Sequence, residues 1–187
     1  MSEEQLALKQ MLEAREREYL MGKAKVRMRS SVENLESGDL VVPKLSEGEM
    51  AELPRWVADE LVGLNMADNV EEPFETEIFR ALSREKMMGP LQLSALGSDF
   101  YLRMRRKLAA LNGAIAEGKA RKEEVDRLRG ICYDLVGIRL SKLLSLSSSA
   151  TTNASLEGKV TPEEGAFFTA SQSLSKEWRA ALFGGAK

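Results

Sequence analysis

Histidine is absent from the 187-residue chain, and Cys132 is the only cysteine. Proteins hold transition metals mainly through imidazole and thiolate groups, and proton transfer near neutral pH relies mostly on histidine. A single cysteine also excludes a disulfide within the chain. We therefore expect no catalytic residue, no metal and no cofactor, and we predict that Cys132 is a small buried apolar side chain.

Long apolar runs are also missing. No segment approaches the roughly 20 apolar residues that a membrane-spanning helix needs, and residues 1–19 lack the apolar centre of a secretory signal. The net charge of −2 gives no overall attraction to nucleic acid, so any DNA contact would be weak or depend on a local basic patch. We expect a soluble cytoplasmic protein with no membrane contact.

The spacing of apolar residues changes along the first 70 residues. Residues 2–20 are rich in helix formers and charged pairs, which predicts a solvated amphipathic helix. Residues 25–32 then alternate polar or basic residues with Val26 and Met28, the period of a half-buried strand. Short strands at 40–42 and 66–70 are also predicted. Together these signals indicate a small β-rich module.

This module also has a predicted helix and core. Pro54 stands where a helix over residues 55–64 would begin, because proline loses nothing at the first helical position. We predict that the module core contains Leu53, Pro54, Trp56 and Leu61.

From Pro73 onward the pattern is helical. Apolar residues recur at spacings of three and four in four segments, and Thr161-Pro-Glu-Glu164 is a strong helix start with a capping residue, proline and glutamate in order. A Ser- and Thr-rich loop is predicted over residues 147–159. The predicted helices cover residues 74–87, 98–117, 121–147 and 161–183. The fold class is therefore mainly α, a helical bundle domain preceded by a small β-rich (α+β) module, divided as 1–22, 23–70 and 71–187.

The third of these helices becomes apolar on almost every side between Leu135 and Leu146. A helix of this kind must be surrounded by protein, and the last helix adds a seam of apolar residues at similar spacing. The two helices offer more apolar surface than one small domain readily buries, so we predict an oligomer. The predicted oligomer interface contains Leu135, Ile138, Leu143, Leu144, Phe167, Leu174 and Trp178.

Two basic groups are candidate contacts for nucleic acid or a partner. Alternation along a strand would put Lys25, Arg27 and Arg29 on one face, and one side of a helix would carry Arg103, Arg106 and Lys107. Aromatic residues are not interleaved with either group, so a base-stacking platform is unsupported. A solvated face or a protein contact remains the alternative interpretation.

Two stretches resemble the GINS family, whose subunits assemble into an accessory complex of the replicative helicase. Residues 48–68 are similar to the small GINS β-domain, where a polar turn precedes the pattern ELPxWxA and a helix. Residues 124–144, followed by Val160–Phe168 with its TPEE sequence, are similar to the helical GINS domain. The likeness covers about residues 23–183 and follows the archaeal type, with the β-domain before the helical domain. The extra helix over residues 2–20 departs from that plan.

The resemblance implies a non-catalytic scaffold subunit in DNA replication. It implies an oligomer, a tetramer made with other GINS subunits or with copies of the chain. Its further implied partners are the MCM helicase and a RecJ-like or Cdc45-like protein, and its implied place is the replication fork at the nucleoid. Contact with two partners would raise their effective concentration and activate the helicase.

A transcriptional regulator that binds DNA is the alternative function. Residues 23–70 would then form a winged module and the long helices would form a dimerisation domain. Such a protein would place Lys25, Arg27 and Arg29 against phosphates, and its DNA affinity would fall steeply with salt.

Overall fold

The computed structural model describes residues 3–37, 40–148 and 156–184. The described residues form six helices, one three-stranded sheet and one two-stranded sheet, which confirms the predicted mainly α class with a helical bundle and a small β-rich module. In chain order the described elements are α1 (Glu3–Met21), β1 (Lys23–Met28), β2 (Leu35–Ser37), β3 (Leu40–Val42), β4 (Met50–Pro54), α2 (Arg55–Gly63), β5 (Ala67–Asn69), α3 (Phe74–Met87), α4 (Phe100–Ala116), α5 (Lys122–Ser148) and α6 (Pro162–Phe183).

The chain separates into two compact units, Met1–Glu72 and Pro73–Lys187. We call them the N-terminal unit and the helical unit. In the N-terminal unit, α1 packs against α2. The finer division at residues 1–22, 23–70 and 71–187 stays a prediction.

The N-terminal unit is built around β1, the central strand of an antiparallel sheet with the order β4-β1-β5. Burial alternates strictly along β1, so Ala24, Val26 and Met28 enter the core while the basic residues between them face solvent. This is the face predicted for Lys25 and Arg27. A second, two-stranded sheet joins β2 to β3, and the connecting residues 38–39, where Gly38-Asp39 end a turn expected from the sequence over residues 36–39, lie outside the described part.

The helical unit is organised by α5, which contacts α3, α4 and α6 and so has the predicted central position. Two apolar clusters lie along it. One surrounds Phe100 and Leu135, and the other surrounds Leu143 and Phe168. The buried Cys132 belongs to the first cluster, as expected, and burial raises the pKa of its thiol.

Helix α6 begins at the predicted capping box. The Thr161 side chain accepts a hydrogen bond from the Glu164 backbone N–H at 3.3 Å, and the Glu164 carboxylate accepts one from the Thr161 N–H at 3.1 Å. The predicted loop over residues 147–159 lies largely at 149–155, outside the described residues.

Candidate subunit interface

Arg139 lies at the centre of the helical unit and is fully buried. Its Nε and Nη2 atoms donate to the two carboxylate oxygens of Glu164, at 2.5 and 2.7 Å. Its Nη1 atom donates to the Glu85 carboxylate and to the Ser94 carbonyl, both at 2.9 Å, and Nη2 also donates to the Lys159 carbonyl at 3.1 Å. All five N–H groups of the guanidinium therefore have an acceptor.

Glu85 balances a second buried cation, Lys142. The Lys142 ammonium donates to Glu85 Oε1 and to the Glu85 carbonyl, each at 2.8 Å, and to the Gln92 carbonyl at 3.0 Å. The other carboxylate oxygen of Glu85 accepts from the Ser94 hydroxyl at 2.6 Å. Burial alone would raise the pKa of Glu85, but the hydrogen bonds from Lys142 and Ser94 outweigh it and leave that pKa below its usual value.

Glu164 connects this group to the start of α6. Besides capping α6 and binding Arg139, its Oε1 atom accepts a hydrogen bond from the Tyr101 hydroxyl at 2.6 Å. Burial and the neighbouring carboxylate raise the pKa of Tyr101 far above its usual value, so the hydroxyl stays protonated. We call Glu85, Tyr101, Arg139, Lys142 and Glu164 the buried ion cluster. It joins all four helices of the unit.

The cluster is suited to holding helices in place rather than to chemistry. Each charged group is sealed from water and paired, so none is free to bind or protonate a substrate. In the part of the chain that the structure describes, no group of histidine, cysteine or acidic side chains could hold a metal ion. No described helix is long and apolar enough to cross a membrane.

The second half of α6 has a different environment. Leu174, Trp178 and Leu182, which recur every four residues along one side of the helix, are 68%, 65% and 56% exposed. We call these three residues the α6 stripe. From residue 173 to 184 only Ser175 is even partly buried.

The end of α5 lies beside this half of α6. The Arg179 guanidinium donates to the carbonyl of Ser148, the last residue of α5, at 2.5 Å. Helix α5 also has two exposed leucines in its last turns, Leu140 and Leu144, which lie four residues apart. The α6 stripe and these leucines are the large apolar side chains that the two helices leave open to solvent near their C-terminal ends, together with Phe183.

The predicted interface residues divide into three groups. Leu135 and Leu143 are fully buried in the cores of the helical unit itself, so their assignment to an oligomer interface is wrong. The error arose because an almost wholly apolar helix segment was attributed to partner contacts, whereas α3, α4 and α6 already cover that face. Ile138 and Phe167 are half-buried against the same two cores.

Leu144, Leu174 and Trp178 are the predicted interface residues that remain exposed. They stay predictions as contact residues. Their position at the open ends of α5 and α6 differs from the mid-helix position of Leu135 and Leu143.

In the N-terminal unit, Leu53 and Leu61 lie in the core and Pro54 is half-buried. Trp56 is 40% exposed, so its assignment to the core is wrong. Helix α2 turns Val57, Ala58 and Leu61 inward, and the position before Val57 points away from that face.

Arg55, which sequence reasoning passed over, is buried instead of Trp56. Its guanidinium makes two hydrogen bonds to the Glu71 carboxylate, at 2.7 and 3.1 Å, and lies 4.4 Å from the centre of the Tyr19 ring. The pairing of one arginine with a carboxylate sixteen residues later leaves no local pattern in the sequence.

The basic face of β1 is balanced by carboxylates on the neighbouring strands. Lys25 lies opposite Glu52 of β4, and Arg27 lies opposite Asp68 of β5. Arg29 donates to both Asp68 oxygens, at 2.8 and 2.5 Å, and this holds the pKa of Asp68 below its usual value. Positive and negative side chains alternate across this face of the sheet, which weakens the case for phosphate binding.

The second basic group mainly joins α4 to α3. Arg103 pairs with Glu77 at 2.7 Å and lies over the Phe74 ring, and Lys107 pairs with Glu75 at 2.6 Å. Arg106 is half-buried on the same helix. Two of the three predicted phosphate contacts therefore already have carboxylate partners inside the unit.

Comparison with protein families gives one match. Residues 66–183 match the family model described as Sld5, the GINS complex protein helical bundle domain. No curated protein sequence matches the chain. The family match spans well over half of the 187 residues and contains all four helices of the helical unit, α3 to α6. The chain therefore belongs to the GINS family, as a subunit of a GINS-type replication complex.

Proposed function

We propose that this GINS subunit is a non-catalytic scaffold that links the MCM helicase to a RecJ-like or Cdc45-like protein at the replication fork. GINS family proteins are non-catalytic scaffolds, which supports this proposal. Binding two partners at once raises their effective concentration and favours the helicase conformation to which both bind. The proposed place of action is the cytoplasm, at the nucleoid.

The α6 stripe is the observation that carries the proposal. Half a helix with few tertiary contacts is unstable in water, because helix propensity alone rarely supports a few turns. The stripe nevertheless presents two leucines and a tryptophan at helical spacing, and Phe183 adds another apolar side chain at the same end. Exposed aromatic and aliphatic side chains in this arrangement are typical of protein interfaces.

We propose that the α6 stripe, with Leu140 and Leu144, is where this subunit contacts another GINS subunit. The other subunit can be a second copy, giving a tetramer of one chain, or a different GINS protein. Helix α5 contacts α6 only as far as Arg179. A partner helix that packs on the α6 stripe would bury the apolar side chains that α5 leaves exposed. The buried ion cluster would then fix the direction in which α6 leaves the bundle.

The regulator alternative has lost its main support. It required a phosphate-binding face at Lys25, Arg27 and Arg29, and carboxylates lie opposite or bind these side chains. The family match also describes a different kind of protein.

Affinity capture from a native extract tests the proposed function. The full-length chain should recover a GINS subunit together with MCM and a RecJ-like or Cdc45-like protein. The double variant Leu174→Asp, Trp178→Asp should recover none of them, because charge on the stripe prevents packing. A matched control is Lys176→Asp, which changes the net charge by the same two units on the other side of α6 and should behave as the wild type.

Other outcomes would count against specific parts of the proposal. Recovery of promoter DNA without helicase would support a regulator. Recovery of MCM by the double variant would show that the helicase contact does not depend on assembly through α6. A mass equal to one chain in light scattering, with no second GINS protein captured, would contradict assembly altogether.

A further inference from the structure

Helix α3 separates its charges by face. Its three carboxylates point into the helical unit, where Glu75 and Glu77 pair with α4 and Glu85 pairs with α5. Its three cations, Arg80, Arg84 and Lys86, are exposed. The outer face of α3 therefore carries the cations of the helix, while its carboxylates lie on the other faces.

Two large apolar side chains lie among these cations. Phe79 is 43% exposed and Met87 is 87% exposed, and their spacing of eight residues, with Ser83 midway, places them in one line along the helix. The buried side of α3, which includes Ile78 and Ala81, faces the opposite direction. A shallow groove of about 350 Å³ follows the outer line.

The positive charge extends beyond α3. Residues 73–187 contain 18 basic and 13 acidic side chains, whereas residues 1–72 contain nine basic and 16 acidic ones. The helical unit is thus net positive in a chain whose total charge is −2. An acidic partner would be attracted to this unit, and the attraction would speed its association.

We propose that the outer face of α3, formed by Phe79, Ser83, Arg84, Lys86 and Met87, docks an acidic amphipathic helix of a partner protein. Apolar side chains of that helix pack on Phe79 and Met87 and provide most of the affinity. Its carboxylates pair with Arg84 and Lys86, which lie on opposite sides of the apolar line, and so set its orientation.

A nucleic acid fits this face less well. Phosphate binding needs cations but gains nothing from an exposed methionine, and base stacking needs a series of aromatic rings. Among the five residues of the face only Phe79 is aromatic. The surface lies on α3 and shares no residue with the α6 stripe, so the two proposals are tested by different substitutions.

Fluorescence anisotropy with the full-length chain tests the proposal. The probe is a labelled synthetic peptide of about 18 residues, enough for five helical turns, with leucine or phenylalanine at every third or fourth position and glutamate between them. We expect saturable binding. Arg84→Glu with Lys86→Glu, and separately Phe79→Ser with Met87→Ser, should each weaken binding by about tenfold or more.

The control variant has the same change of charge at a different place. Lys159→Glu with Lys176→Glu alters two exposed lysines, one just before α6 and one within it, and should change the affinity less than about twofold, since neither lysine lines the groove on α3 and surface charges outside a contact act weakly through salt. Circular dichroism of each variant checks that the helices are retained.

Three results would overturn the proposal. The first is no binding of the probe by the wild type. The second is an equal loss in the control variant, or equal binding of a peptide in which serine replaces the apolar residues, because either would indicate unspecific charge attraction. The third is a DNA duplex that binds and is weakened by the same α3 substitutions, which would make the face a nucleic-acid surface.

Discussion

The two halves of α6 lie in opposite environments although they belong to one continuous helix. The first half begins at a capping box, places Glu164 in the buried ion cluster and buries Phe168. The second half leaves the large side chains of the α6 stripe exposed to water. The first half is fixed by packing within the helical unit, whereas the second half has apolar side chains that the described residues leave exposed.

This difference separates stability from assembly. Substitutions in the first half should unfold the helical unit and affect assembly only as a consequence. Substitutions in the stripe should abolish assembly and leave the subunit folded. Each prediction below either sharpens or breaks this separation.

The largest effect is expected at Arg139. Arg139→Ala leaves Glu85 and Glu164 buried with incomplete pairing, and removal of one partner of a buried ion pair costs about 3–5 kcal/mol. Urea unfolding followed by circular dichroism measures the loss. The control is Arg129→Ala on the same helix, a half-buried arginine whose pair with the exposed Asp126 is worth about 1 kcal/mol or less. Equal losses for the two variants would contradict the role of the cluster.

A smaller change in free energy is expected at Trp178, and it concerns subunit association rather than folding. Trp178→Asp should weaken subunit association by about 2 kcal/mol or more, roughly thirtyfold in the dissociation constant, as for an aromatic side chain at the centre of an interface. Sedimentation measures the association, and urea unfolding of the isolated subunit should change little. A large loss of subunit stability would show that Trp178 contributes to the fold, against its exposure.

The cap of α6 should contribute about 1 kcal/mol. Thr161→Ala removes the acceptor for the Glu164 backbone N–H, and loss of such a cap typically costs that amount. Urea unfolding measures it. The matched variant is Thr169→Ala, which removes an exposed hydroxyl that donates to the Gly165 carbonyl. Its loss of stability should be smaller than that of Thr161→Ala. The reverse order would mean that the capping box does not anchor the helix.

The smallest effect is a dependence of stability on pH. Because the pKa of Glu85 is lower in the folded chain than in the unfolded one, the unfolded chain binds more protons as the solution becomes acidic. The stabilisation is complete above the unfolded value, about pH 4.3, and is lost as pH falls through the folded value. The midpoints of urea unfolding between pH 3 and 6 measure this dependence. Glu85→Gln should remove the part of the pH dependence of unfolding free energy that Glu85 contributes. An unchanged slope in the variant would contradict it.

Local signals in the sequence predicted most of the elements. Helix α3 runs over residues 74–87 as expected, because Phe74, Ile78 and Leu82 mark its buried face and Gly89 follows its end. The start of α6 followed from Thr161, Pro162 and Glu164 alone. These features depend on residues close together in the chain, which sequence patterns can describe.

The buried ion cluster could not be found in this way. Arg139 meets Glu164 across 25 residues and Glu85 across 54, and nothing near Arg139 indicates either partner. The one available signal was the position of Arg139 and Lys142, two cations on an otherwise apolar segment. Such cations must be buried with acceptors or exposed, and this choice depends on the neighbouring helices.

The misplaced residues have a related cause. Trp56 was assigned to the core as part of the apolar face of the predicted helix over residues 55–64, but the direction of α2 gives the buried position to Arg55, which Glu71 neutralises. Leu135 and Leu143 were assigned to a partner because the apolar surface of α5 was counted without knowing how much of it α3, α4 and α6 cover. Burial of a side chain depends on packing between elements, which sequence periodicity does not specify.

Photo-crosslinking from position 178 tests the central claim most directly. A benzophenone amino acid in place of Trp178, in the full-length chain in native extract, reacts with whatever protein lies against the α6 stripe. The account predicts a crosslink to a GINS subunit, either a second copy or a different family member, and much less crosslinking when the label replaces Lys176. Absence of any crosslink to a GINS subunit from position 178, with the complex shown to be assembled, would contradict it.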